Sequence, residues 1–188
     1  MDFRASLLLS SAMSENNTSN SHLTADGILV QANRRLAQQE YNEAGALYGD
    51  VSERWPERWE GHYGIAKAAQ GLGDLTLSLR AAMAAVGADR QCIPAYTLIG
   101  ELTFNGGMAD VGIEWLEGAA GEKPNEAVIF EWLVRLYAAG GRQDELNQCL
   151  ERYSTLRGLP VSEATLLFAR DPSLTQDIRA RIATAAGY

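Results

Sequence analysis

A gap-free period of 34 residues constrains this chain more than any single motif does. Gly73, Gly107 and Gly141 stand at equal steps of 34, and Pro56 and Pro124 differ by twice that step. Four further columns keep the register: Ile28, His62, Tyr96 and Phe130; Ala32, Ala66, Gly100 and Val134; Ala44, Ser78, Gly112 and Leu146; Tyr48, Ala82, Leu116 and Leu150. A sustained period of this length is the mark of stacked repeats, each of which buries its apolar face only against its neighbours. Four units follow, at 25–58, 59–92, 93–126 and 127–160. Residues 161–188 are left to cap the stack, and 1–24 form an N-terminal arm expected to be disordered.

Within a unit the apolar spacing is helical. Tyr96, Ile99 and Thr103 recur on one face of a first helix, and Val111, Trp115, Leu116 and Ala119 on one face of a second. The glycine between them supplies the positive φ that ends a helix. Asp110, Asp144 and Asn42 stand where the next helix wants a cap, with Asp74 close to that place. Pro56 and Pro124 end the second helix or the linker after it. The small columns read as close helix contacts; Gly112 weakens its helix and is tolerable where tight packing compensates. Beyond Pro160, Val161–Arg170 reads as a fifth first helix cut short at Asp171-Pro172. Ser173 to Gln176 has capping-box spacing, and Leu174, Ile178, Ile182 and Ala185 share one face of a helix expected over 173–186.

The period, the helix–turn–helix unit and these columns resemble the tetratricopeptide repeats. Glu40-Tyr41-Asn42-Glu43-Ala44, with Tyr48 and Pro56 after it, matches the second-helix pattern; Trp132 to Tyr137 with Ala138-Ala139-Gly140-Gly141 matches the first. Unit one departs by carrying Gln39 where the turn glycine belongs, and unit two by Ser78 and Arg90 where Ala and Pro are usual. The resemblance implies an all-α, right-handed solenoid with a C-terminal capping helix, whose first helices line a concave, peptide-binding groove. By register the groove residues are Leu29, Asn33 and Leu36; Tyr63, Lys67 and Gln70; Thr97, Glu101 and Phe104; Glu131, Arg135 and Ala138. The clamp by which some members grip an acidic C-terminus is missing: Asn33 fits it, but Leu29, Gly64, Pro94 and Leu98 stand where Lys, Asn, Lys and Arg would be needed.

Charge and chemistry narrow the function. The net charge is -8 and the sequence pI about 4.8, which argues against a nucleic-acid partner, since phosphate contacts need clustered Lys and Arg. Cys92 and Cys149 are isolated, as are His22 and His62, so neither a disulfide framework nor a zinc site is expected. Asn105-Gly106-Gly107-Met108-Ala109-Asp110 has no strand before it and no Lys, Ser or Thr close after it, as a phosphate loop requires. No nucleophile with a base can be assembled, and no cofactor is called for. No run of about 18 apolar residues spans a membrane. Residues 5–13 are signal-like, with a poor basic region and a short apolar core, and Met13 offers a second start.

The expectation is a scaffold or adaptor that binds a protein or peptide partner, cytoplasmic and without catalysis. The layout also resembles bacterial tetratricopeptide chaperones that hold secretion substrates. A self-assembling homo-oligomer, or a periplasmic or envelope subunit if residues 1–12 are a signal, stands as an alternative.

Overall fold

The computed structural model describes residues 24–185, with Ala185 the last residue of its final helix. The described residues form ten α-helices: α1 (Ala25–Ala37), α2 (Tyr41–Arg54), α3 (Trp59–Gly71), α4 (Leu75–Ala88), α5 (Ile93–Asn105), α6 (Ala109–Glu122), α7 (Ala127–Gly140), α8 (Gln143–Arg157), α9 (Val161–Ala169) and α10 (Gln176–Ala185). Consecutive helices pack as antiparallel neighbours from α1 to α10, giving five hairpins. α10 also folds back on α7 and α8, which closes the end of the stack.

The turns repeat atom for atom. Gln39, Gly73, Gly107, Gly141 and Gly158 all have φ between 61° and 77°. After each, the next backbone N–H reaches the carbonyl five residues back: Glu40 to Arg35, Asp74 to Ala69, Met108 to Thr103, Arg142 to Tyr137 and Leu159 to Ser154. This is the Schellman closure, which satisfies carbonyls a helix end leaves open. Gln39 adopts the left-handed conformation without glycine's freedom, held by the same Glu40–Arg35 bond of 3.0 Å.

Helix starts correct two readings. Of the four expected capping residues only Asp74 caps, accepting from Leu77 N at 2.9 Å. Asp110 and Asp144 lie within the first turns of α6 and α8, and Asn42 within α2, whose N-cap is Glu40. There the two aspartates face the positive end of the helix dipole without capping it. At the C-terminal helix, Thr175 rather than Ser173 receives the helical N–H groups: its carbonyl takes Arg179 N at 3.0 Å and its hydroxyl takes Ile178 N at 3.4 Å. α10 accordingly starts at Gln176.

The core runs between first and second helices. Ile28, Ala44, Tyr48 and Val51 make a cluster in the first hairpin; Tyr96, Ile99, Leu116, Leu136, Leu146 and Leu150 belong to a larger one that reaches Phe168 and Ile182. The small columns are tight. A Cβ added to Gly100 would run into the Trp132 ring, and one on Gly112 into the Thr103 hydroxyl. In α6 the inward face is Gly112, Ile113, Leu116 and Ala119, while Val111 is exposed and Trp115 half-buried. His62 is half-buried, its Nε2 lying 3.3 Å from the Pro56 carbonyl.

Candidate functional site

Two pairs of neighbouring first helices touch, α1 with α3 and α5 with α7, whereas α3 with α5, like the second helices α2, α4, α6 and α8 among themselves, makes no comparable contact. At those two junctions the stack is closer on the first-helix side, the side to which register assigns the groove residues. Side chains on that face link one hairpin to the next. Lys67 Nζ donates to Gln70 Oε1 at 2.5 Å, and Gln70 Nε2 to Glu101 Oε1 at 3.0 Å. Phe104 stands 6.4 Å from Trp132, centroid to centroid, with the rings tilted.

Arg135 anchors the far end. Its guanidinium pairs with Glu131 at 2.9 Å and with Asp171 at 3.1 Å, and lies over the rings of Trp132 and Phe168 at 5.0 and 5.1 Å. Burial raises the Asp171 carboxyl, but hydrogen bonds from the Ser173 hydroxyl and amide and from Arg135 outweigh that and hold it below its usual range. Arg135 thus carries the link between α7 and the α9–α10 loop.

The twelve register-derived residues fall into three sets. Tyr63, Lys67, Gln70, Thr97, Glu101, Phe104, Glu131 and Arg135 are half-buried on first helices, and Asn33 is exposed. Asn33 and Thr97 are already engaged, Asn33 accepting from the Tyr48 hydroxyl at 2.6 Å and Thr97 donating to the Ile93 carbonyl of its own helix at 3.2 Å. Leu36 packs against the first-hairpin cluster. Leu29 and Ala138 are buried, at 8% and 1% exposure, so neither presents a side chain to a ligand. Leu29 belongs to the first-hairpin core. Ala138 is covered by α10, whose Arg181 donates to the Ala138 carbonyl at 3.1 Å. Trp132, Phe168 and Asp171 are the residues that register reasoning missed. One signal was available: Trp132 stands 32 residues after Gly100, a bulky ring following a glycine by nearly one period.

Neither cysteine is set up for chemistry. Both are buried and free, and burial pushes the Cys92 thiol up to about 11 and Cys149 to about 12. Burial, then the hydrogen bond to Glu117, raises the Tyr137 phenol too. Among the described residues no group of three or more His, Cys, Asp or Glu could hold a metal ion, and no helix is long and apolar enough to cross a membrane.

No family model and no curated protein matches the chain. Solved structures do. TTC0263, a thermophilic TPR protein of Thermus thermophilus, matches with a TM-score of 0.54 at 18% identity, covering 88% of this chain and 100% of its own. MamA matches with a TM-score of 0.63 at 14% identity, covering 87% and 88%. YrrB, described as a TPR protein with an unusual peptide-binding site, matches with a TM-score of 0.60 at 14% identity, covering 95% and 90%. At such identities the likeness is one of fold, and by its fold this chain is a tetratricopeptide-type helical repeat solenoid.

Proposed function

We propose that the chain is a protein-interaction scaffold that takes a peptide segment of a partner along its first helices. One observation carries the reading: the half-buried row of Tyr63, Lys67, Glu101 and Phe104, in which two rings flank charges of both signs. Rings of this kind supply contact area, and the charges set register and orientation. The YrrB likeness supports a peptide as the partner class. The occupied segment is the middle of the face, α3 and α5, because Arg135 is engaged by Asp171 and Ala138 is covered. The scaffold acts in the cytoplasm and turns over no substrate.

The test is affinity capture from cell extract with the full chain and with a Lys67→Glu, Phe104→Ala variant, each confirmed folded by thermal melt. Loss of specific partners from the variant is the expected result. Equal capture by both would move the binding surface elsewhere.

A second reading, self-association, is favoured by the two ends of the stack. Val30 on α1 is 69% exposed, and Leu166 and Leu167 on α9 are 40% and 52% exposed. Apolar repeat ends stack when chains meet end to end. Light scattering across concentration tests it, and a monomer throughout removes it.

A further inference from the structure

Asn33, Lys67, Glu101 and Arg135 stand at equal steps of 34, one on each of the first helices α1, α3, α5 and α7. Three successive units thus set a cation, an anion and a cation at the same place in the repeat. The two ends of this column are satisfied from within the chain. Asn33 accepts from the Tyr48 hydroxyl, and Arg135 is neutralised by Glu131 and Asp171.

The middle of the column is built otherwise. By register, Glu131 and Asp171 correspond to Tyr63 and Thr103 around Lys67, and neither supplies a carboxylate. Around Glu101 they correspond to Thr97 and Tyr137, and neither supplies a cation. Among the described residues neither Lys67 nor Glu101 has an ion pair; each meets the neutral side-chain amide of Gln70. That amide takes Lys67 Nζ on its oxygen at 2.5 Å and gives its nitrogen to Glu101 Oε1 at 3.0 Å. Gln70 therefore holds the two charges one amide apart. An ammonium has three N–H donors and a carboxylate two acceptor oxygens, so both keep bonding capacity to spare. Both are half-buried, in the row that Tyr63 and Phe104 flank. A partly desolvated charge gains more from a counter-ion than an exposed one does.

We propose that the partner segment carries an acidic and a basic side chain, its carboxylate pairing with Lys67 and its cation with Glu101, a specificity that rests on the first-helix face being the peptide site. The one-amide separation is comparable with the ~7 Å between alternate side chains of an extended chain. The two residues of the partner are therefore two apart, on one face of the segment. Recognition is of side chains, so a free C-terminus is not needed.

The probe is the peptide acetyl-Leu-Asp-Gly-Arg-Leu-amide, with a two-acid form (Asp-Gly-Asp) and a two-base form (Arg-Gly-Arg) as controls. Each is titrated into the isotope-labelled full chain and followed by NMR. The mixed peptide is expected to shift α3 and α5 signals and to bind about tenfold tighter than either control, the order of one charge-assisted hydrogen bond. Lys67→Glu should transfer the preference to the two-base peptide, and Glu101→Lys to the two-acid one. Making both exchanges together should restore the preference for the mixed peptide. The ranking in the wild-type chain decides even if a variant misfolds. Equal binding of the three peptides, or a ranking that follows peptide charge alone, overturns the pairing; with shifts still on α3 and α5 it leaves the first-helix reading standing. Shifts that avoid α3 and α5 overturn both. Shifts of these signals with protein concentration and no peptide would give the face to a second copy, and overturn the proposal.

Discussion

Trp132 of α7 packs against Gly100 of α5 so closely that a Cβ on the glycine would stand 2.6 Å from the indole Cγ. The contact sets how near two neighbouring first helices come. Gly100→Ala should therefore destabilise the chain by about 1–3 kcal/mol, although alanine is the better helix former, because overpacking outweighs propensity. Urea denaturation checks it. Trp132→Leu in the same chain should recover part of the loss.

Gly112 meets a harder obstacle. The Thr103 hydroxyl that faces it is fully buried and donates to the Ile99 carbonyl at 2.7 Å, and Leu136 closes the other side. Gly112→Leu is expected to unfold the third hairpin, with a loss of about 3 kcal/mol or more. A thermal melt unchanged by that substitution would contradict the packing assigned to this column.

Gln39 offers the opposite sign. It is exposed, and its φ of 61° is one that glycine adopts at the equivalent turns. Gln39→Gly should stabilise the first hairpin by about 0.5–1 kcal/mol, relief of left-handed strain exceeding the entropy glycine adds to the unfolded chain. The midpoint of chemical denaturation reports it.

Asp171 makes the attachment of α9 and α10 sensitive to acid. Its folded pKa is depressed, so its contribution is complete above the unfolded value of about 3.9 and is lost as pH falls through the folded one. Hydrogen exchange across α10 should therefore quicken below about pH 4. Asp171→Asn should show that loosening at neutral pH and flatten the acid dependence.

Cys92 and Cys149 should resist a thiol reagent in the native chain and react once it is unfolded. They are 3% and 6% exposed, and neither has a depressed pKa. Fast labelling of two thiols at neutral pH in the folded state would contradict their burial.

Much of the fold is legible in the sequence because a 34-residue period encodes contacts that recur. Gly73, Gly107 and Gly141 announce the turns, and Gln39 can be placed in the same conformation by register alone. Asp110 and Asp144 do not cap because they stand inside the first turns of helices whose starts the turn geometry sets at Met108 and Arg142. Register places Lys67, Gln70, Glu101 and Phe104 on the first helices α3 and α5, where the structure leaves them half-buried and each hairpin has equivalent neighbours on both sides. At the ends it picks Leu29 and Ala138, which are buried, Leu29 in the first-hairpin core and Ala138 under α10, because the first and last units do not have the surroundings that a constant repeat assumes.

By itself, then, the sequence determined the helical unit, its turns and the small positions where helices meet, since these follow from local backbone preference and side-chain size repeated at a constant interval. Only the tertiary structure decided that Asp171 occupies Arg135, that α10 covers Ala138, and that Arg152 lies over the Phe130 ring. Those relations join residues of different hairpins, or break the repeat, and no period can report a contact made once.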